Sequence, residues 1–265
     1  MILTVTNTKG GVAKTTTSIE LAAGLARGTP SRPPLRTLLV DADPQASATF
    51  GVGLQLAEGR DLAAVSLDGM SLMDAVVPTY LDGLSLLPGA EAMSGVAWGS
   101  IPMDLRAFRN LFKPHIGPSF DAIVIDAPNA LAGTLALAAM VAADAYIVPA
   151  SPKFFDLRGL NTMIAMTDQM KVGLEEQGVS FPDRLGVLLT LYDTRSTNSK
   201  GFAEQARAFI DDVFTTVIRR YVDIERAPGL GKSVVDQFPG TPAAQDMTEF
   251  VTETVARANL RGYLR

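Results

Sequence analysis

Residues 9–16 read Lys-Gly-Gly-Val-Ala-Lys-Thr-Thr, between an apolar run at 1–5 and a helical pattern at 18–27. A buried strand that turns through two glycines straight into a helix restricts the fold sharply. The first N–H groups of such a helix point into the turn, and the helix dipole adds partial positive charge there. Gly10 and Gly11 let the backbone curl around an anionic oxygen. Lys14 is spaced to reach outer phosphates, and the Thr15 hydroxyl can ligate Mg²⁺. A plain surface turn needs only the glycines. Two lysines and the Thr15-Thr16 pair at a strand-to-helix junction point instead to a nucleoside triphosphate cradle built from Lys9, Gly10, Gly11, Val12, Ala13, Lys14, Thr15 and Thr16. The strict phosphate-loop template requires glycine at positions 8 and 13, where this chain has Thr8 and Ala13. If position 13 needs a left-handed backbone, alanine costs about 1–2 kcal/mol there.

Two further apolar runs end in acids. The run at 35–40 leads into Asp41-Ala42-Asp43-Pro44-Gln45, and the run at 120–125 leads into Asp126-Ala127-Pro128-Asn129. Acids at the carboxyl ends of parallel strands face the ligand crevice and are where Mg²⁺ sites are built. The simpler alternative is that they cap the helices that follow.

The rest of the chain repeats the alternation. Strands are predicted at 84–88, 144–149, 184–192 and 214–218. Helices are predicted at 17–27, 45–50, 71–77 (Ser71 as its N-cap), 102–112, 131–143, 161–176, 199–213 and 241–260. Residues 51–69 carry little signal. Met163, Ile164, Met166 and Met170 form an inner stripe suited to adaptable packing, and Met93 and Trp98 read as core or interface. The pattern predicts an α/β fold: a mostly parallel twisted sheet with helices on both faces, like the P-loop NTPases. With no internal repeat and no linker, residues 1–265 are expected to form one domain.

Composition removes several function classes. The net charge of −5 argues against a generally basic nucleic-acid binder and leaves room only for a local patch. Without cysteine there is no disulfide and no thiolate metal site, and the single histidine, His115, rules out a multi-histidine cluster. His115 is expected at a surface or helix end. No apolar run is long enough to cross a bilayer, and 1–6 lacks the basic flank of a signal peptide. A soluble, intracellular, cytoplasmic protein is expected. The 241–260 helix carries few lysines and no aromatic-rich apolar face, so no membrane partner is expected.

The Lys-Gly-Gly-x-x-Lys-Thr form, with its extra leading lysine, resembles the ParA/MinD family of ATPases, as does Asp-x-Asp-Pro-Gln at 41–45. The resemblance runs over nearly the whole chain. It implies ATP with Mg²⁺, and a homodimer formed on ATP binding in which Lys9 reaches the partner's phosphates. It implies that Asp43 positions the attacking water and that Thr15, Asp41 and Asp126 lie at or near the Mg²⁺ shell. Lys9, Lys14 and Asp43 become the catalytic candidates. The family usually has Asp-x-Pro-Pro where this chain has Asn129 as the fourth residue. It also has Pro-Arg-Asn near Arg219-Arg220-Tyr221, which by position sets Arg219 and Tyr221 at the base, with Pro228 in the segment beyond, and turns Arg220 toward DNA. Candidates for a non-specific DNA surface are Arg195, Lys200, Arg207, Arg220, Arg226 and Lys232, with Arg219 beside them. The alternative is an ordinary solvated face. The resemblance further implies a slow ATPase stimulated by a ParB-type centromere-binding protein, at the nucleoid, in chromosome or plasmid partition. Two other readings stay open: a relative that positions a protein cargo, and an ATP-dependent small-molecule ligase on the same fold. A metal reductase of this fold would need cluster cysteines and is excluded.

Overall fold

Alternate residues of the central strands face opposite layers. In this computed structural model, which describes residues 1–30, 32–55, 59–95, 105–129, 133–152 and 157–264, Leu3 and Val5 of β1 (Ile2–Val5) pack into one core with Leu39 of β2 (Thr37–Asp41) and Val124 of β5 (Ala122–Asp126). Ile2, Leu38, Val40, Ile123 and Ile125 pack into the other. Both faces of these strands are therefore covered, and each reads as a nearly unbroken apolar run.

The sheet has eight strands in the order β3-β4-β2-β5-β1-β6-β7-β8, with β3 (Val77–Pro78), β4 (Leu84–Leu87), β6 (Ala145–Ala150), β7 (Asp183–Tyr192) and β8 (Val213–Arg219) completing it. Every pairing is parallel except β3 with β4. The predicted α/β class and both-sided helices hold. The chain leaves β1 toward β2 on one side and later returns to β6 on the other, so β1 lies at the point where strand order reverses. Open α/β sheets bind ligands in the crevice at the strand carboxyl ends there.

On one face lie the helix Lys14–Arg27, here α1, and the C-terminal helix Pro242–Leu260. They meet closely at Gly24, where an added Cβ would lie 2.5 Å from Val251 Cγ2, so only glycine permits the approach. The C-terminal helix also covers the edge strand β8. The Glu253 carboxylate accepts from Thr215 N and Thr216 N (both 2.9 Å), and Asp246 Oδ2 accepts from Arg219 N (3.0 Å). Three N–H groups that an edge strand leaves free are thus occupied. On the other face Phe108 and Phe112, 5.8 Å apart edge-to-face, pack with the helix Thr134–Val141. Met163 and the partly buried Met166 and Met170 of the helix Leu157–Glu176 pack with Val187 and Leu189, so the methionine stripe is core.

Several boundaries differ from the sequence reading. The helix expected over 199–213 is Thr197–Phe209, because Ser196 caps it and Val213 already belongs to β8. The helix expected over 71–77 is one turn, Leu72–Ala75, and Val77 pairs with Leu86 instead. Within the low-signal stretch, Leu62–Leu67 is a helix capped by Asp61, whose side chain accepts from Ala64 N. His115 ends a short 3-10 turn, as expected. Met93 is buried. Trp98 and residues 102–104 of the predicted 102–112 helix lie outside the described residues, as do 131–132 of the predicted 131–143 helix.

Candidate active site

The carboxyl ends of β1, β5 and β2 lie side by side, with Val5 in register with Asp126 and Asp126 with Asp41. Three sequence-distant motifs therefore meet at one crevice. After β1 the loop is fixed by Asn7. Its Nδ2 donates to Pro149 O (2.5 Å), and its Oδ1 accepts from Lys9 N (2.9 Å). The turn then passes Gly11 at φ 76 and Ala13 at φ 64, ψ 34, the left-handed region in both cases. Ala13 is the N-cap of α1 and offers no side chain to its free N–H groups. Those donors are left for a ligand. Thr190 Oγ1 donates to Val12 O (3.0 Å) and Thr17 Oγ1 to Ala13 O (2.7 Å), holding the loop from beneath.

Lys9 is exposed at the mouth, whereas Lys14 is only 6% exposed. Lys14 Nζ donates to Lys9 O (3.0 Å) and to Asn129 Oδ1. Burial lowers its pKa, while the charges of Asp126 and Asp43 oppose that shift. A buried ammonium beside an uncapped helix N-terminus suits an anion.

Asp126 and Asp41 are both fully buried. Ser18 Oγ donates to Asp126 Oδ1 (2.8 Å), while Oδ2 accepts no hydrogen bond from the described residues. Burial, then the neighbouring Asp41, pushes the Asp126 carboxyl up to about 7; the hydroxyls of Ser18 and Thr15 and the Lys14 charge oppose this. A buried oxygen without a donor, beside the Thr15 hydroxyl, suits a hard cation. Asp41 is more fully occupied. Its Oδ2 accepts from Thr49 N and Thr49 Oγ1 (both 2.7 Å), and its Oδ1 accepts from Asp43 N (3.3 Å). Burial raises it to about 6. Asp41 thus braces the turn into the helix Ser47–Gly51, the capping role weighed from sequence, while lying next to Asp126. Asp43, 8% exposed, accepts from Gln45 N (3.0 Å). No group of three or more histidine, cysteine or acidic residues placed to hold a metal ion occurs among the described residues. The donor set therefore fits Mg²⁺ held by one hydroxyl, one carboxylate, water and phosphate oxygens, and does not form an all-protein cage.

Beside the cradle lies a cavity of about 530 Å³, bounded by Gly11, Ala13 and Thr16 on one side and by Leu191, Asp193 and Arg220 on the other. Its volume fits a nucleoside. Asp193 and Leu191 (φ 51) come from the end of β7, Pro152 from beyond β6, and Ile224 and Glu225 from the short helix Val222–Arg226. The sequence reading did not single out these wall residues. The left-handed Leu191 and the Asp193-to-Ser196 turn, with Ser196 N donating to Asp193 O (3.1 Å), had no motif to announce them.

The three consecutive residues at the end of β8 separate. Arg219 turns to the C-terminal helix and forms a forked pair with Asp246 (2.5 Å at the shortest), with its guanidinium 5.4 Å from the Tyr221 ring centroid. Tyr221 packs against the α1-side core. Arg220 lines the cavity and pairs with Glu225 (3.5 Å). Pro228 begins a 3-10 turn whose Cβ is 3.7 Å from the position of an added Gly51 Cβ. The remaining basic candidates lie on several elements, with Lys200 and Arg207 on the helix Thr197–Phe209. Arg195 is 93% exposed and Lys200 is exposed. Arg207 donates to Thr215 O (3.1 Å), Arg226 lies over Phe238, and Lys232 lies over Tyr80.

A family model described as an AAA domain matches residues 1–177. The chain is 36% identical over 255 residues to the chromosome-partitioning ATPase Soj of Thermus thermophilus, covering 95% of this chain and 94% of that one. Its fold is similar to that of McdA from Cyanothece, solved as the ATP complex of a point variant, with TM-score 0.80, 23% identity and 96% of both chains covered. It is also similar to cobyrinic acid a,c-diamide synthase from Mycobacterium smegmatis with bound ADP and magnesium, with TM-score 0.78, 27% identity, and coverage of 98% of this chain and 96% of that one. A buried lysine in a turn of free N–H groups, two strand-end acids in register beside it and near full-length similarity to Soj together place the chain in the ParA/MinD family of ATPases.

Proposed function

We propose that this chain is an ATP-dependent partition ATPase: one ATPase unit that pairs with a second copy around ATP and, so paired, binds DNA without sequence preference. The observation that carries this reading is the contrast between the two lysines of the cradle. Lys14 is buried against its own loop, while Lys9 stands exposed at the mouth, free to reach a ligand held by another copy. The free N–H groups at 10–16 and Lys14 hold the phosphates. The Thr15 hydroxyl and the unpartnered oxygen of Asp126 are the groups that would hold Mg²⁺, which would supply positive charge beside the phosphates. Asp43 orients a water for attack, and the cavity beside Arg220 takes the nucleoside. No strong base stands in the crevice among the described residues, a setting in which hydrolysis is slow and open to stimulation by a ParB-type partner.

The basic residues Arg195, Lys200, Arg207, Arg226 and Lys232 are offered as phosphate contacts, with Arg220 at the cavity edge. No helix among the described residues is long and apolar enough to cross a membrane, and the working place is the nucleoid. DNA binding measured with ATP, with ADP and without nucleotide across a salt series tests the reading. Binding only with ATP, falling steeply as salt rises, is expected. Binding indifferent to nucleotide or to salt overturns it. The 27% likeness to a synthase keeps a second reading, an ATP-dependent small-molecule ligase. ATP turnover that depends on an added small acid would favour that one.

A further inference from the structure

Asn129 does something in the cradle that the motif there does not call for. It follows β5 by three residues, itself exposed, yet its Oδ1 accepts a hydrogen bond from the buried Lys14 Nζ. The same oxygen lies 3.9 Å from where a Cβ on Gly10 would stand, so the amide sits over the glycine turn. Lys14 has three donors. One goes to Lys9 O at 3.0 Å, and one goes to Asn129. The partly negative amide oxygen thus stands over the anion cradle, on the lysine that phosphate must claim. A proline at this position has no side-chain acceptor to offer.

We propose that Asn129 is a positioning residue that competes with the nucleotide's phosphates for Lys14, setting the affinity and the cost of nucleotide entry. In the empty site it takes a second hydrogen bond from a buried ammonium whose other partner is Lys9 O, which stabilises the empty state. Phosphate oxygens take over Lys14 when nucleotide binds, and the exposed amide swings out to water at little cost.

The test is calorimetric titration of Mg·ATP and Mg·ADP into the full chain as wild type, Asn129→Ala and Asn129→Asp, with thermal unfolding of each empty protein alongside. Asn129→Ala removes the competitor only from the empty state. It should bind both nucleotides about tenfold more tightly, the effect of one hydrogen bond to a charged group. Its empty form should unfold at a slightly lower temperature. Asn129→Asp replaces the amide with a charged competitor that pairs with Lys14 and repels phosphate, so it should bind about tenfold or more weakly. A residue of merely structural importance would weaken binding in both variants. If wild type binds nucleotide and Asn129→Ala binds no more tightly, or Asn129→Asp binds no more weakly, the proposal is overturned alone. If wild type itself binds neither nucleotide, the ATPase assignment falls, and the proposal with it. Should Asn129→Ala fail to fold, Asn129→Pro carries the same expectation of tighter binding.

Discussion

The two halves of the ligand crevice are built on different principles. The phosphate half, from Lys9 to Thr16 with Asp126 beside it, is mostly backbone: a left-handed turn, the start of a helix and one buried lysine. The half proposed to take the nucleoside is made of side chains contributed by the ends of β7 and β8 and by the helix Val222–Arg226. Backbone geometry over eight residues follows from local sequence. Which way a side chain points from the end of a strand depends on register and on what packs there. Substitutions in the first half should therefore act on chemistry, and those in the second should divide between stability and affinity.

The largest effect is expected at Lys14. Lys14→Ala removes the only buried cation among the described cradle residues, and ATP turnover should fall at least about a hundredfold, as it does when one preorganised charge-stabilising group is lost. Fluorescent-nucleotide binding and phosphate release would measure it. If turnover survived, the phosphate half would not be the functional half, and the contrast would invert.

The sharpest split is expected between neighbours in the second half. Arg219→Ala leaves the Asp246 carboxylate, 4% exposed, without its guanidinium. Leaving a buried charge uncompensated is strongly destabilising. With the arginine itself 38% exposed, a loss of about 2 kcal/mol is expected in urea unfolding. Arg220→Ala breaks only an exposed pair with Glu225 and should change stability by under about 0.5 kcal/mol while weakening ATP binding. Equal stability losses in the two variants would show that residues 219 and 220 do not face opposite ways.

This split also marks how far the sequence could be read. The cradle, the strand-end acids and the parallel sheet were legible because each rests on a short-range pattern: glycines before a helix, or an apolar run ending in aspartate. Asp41 was legible as a site-adjacent acid. It was legible also as a brace for the next helix, but its choice of Thr49, eight residues on, followed from no spacing rule. At Arg219-Arg220-Tyr221 the resemblance set Arg219 and Tyr221 at the base. Strand alternation sends Arg219 toward Asp246, 27 residues later in sequence, and leaves Arg220 on the cavity. That partner lies on a helix whose own period was clear but whose docking on β8 was not. Asn129 was seen as a departure from a pattern, and its hold on Lys14 became visible only when β5 and β1 were side by side.

Glu20 ties α1 to the segment that follows the cavity wall. It lies on α1, fully buried, and its Oε1 accepts from Val234 N in the segment beyond the cavity wall. Burial pushes its carboxyl from the ordinary 4.5 up to about 8. The folded chain thus holds this proton where the unfolded chain has lost it. The stabilisation from that proton is fully present below about 4.5 and is lost as pH rises through about 8. Thermal midpoints from pH 6 to 9 should fall with pH in the wild type. In Glu20→Gln, whose amide oxygen can still accept from Val234, that part of the fall should vanish and the protein should be the more stable of the two at pH 9. A wild-type midpoint that stays flat over the range would mean that Glu20 is charged and solvated, and that α1 and the wall move independently.

The smallest expected effect separates strain from function inside the first half. Ala13 and Ala46 are both alanines held left-handed, at φ 64 and φ 52, and both are N-caps without a capping side chain. An L-residue in that region costs about 1–2 kcal/mol. Glycine removes the clash but brings back some unfolded-state entropy. Ala13→Gly and Ala46→Gly should each stabilise the chain by up to about 1 kcal/mol in urea unfolding. Their effects on ATP should differ. Ala13 borders both the cradle and the cavity, so relaxing it alters the aim of the α1 N–H groups at the phosphates. Ala46 sits beyond Asp43 and should leave nucleotide affinity where it was. If Ala13→Gly raised stability with no change in nucleotide binding, the strain at the turn would be incidental to the site. If it lowered affinity while Ala46→Gly did not, the left-handed alanine would be part of how this cradle is set.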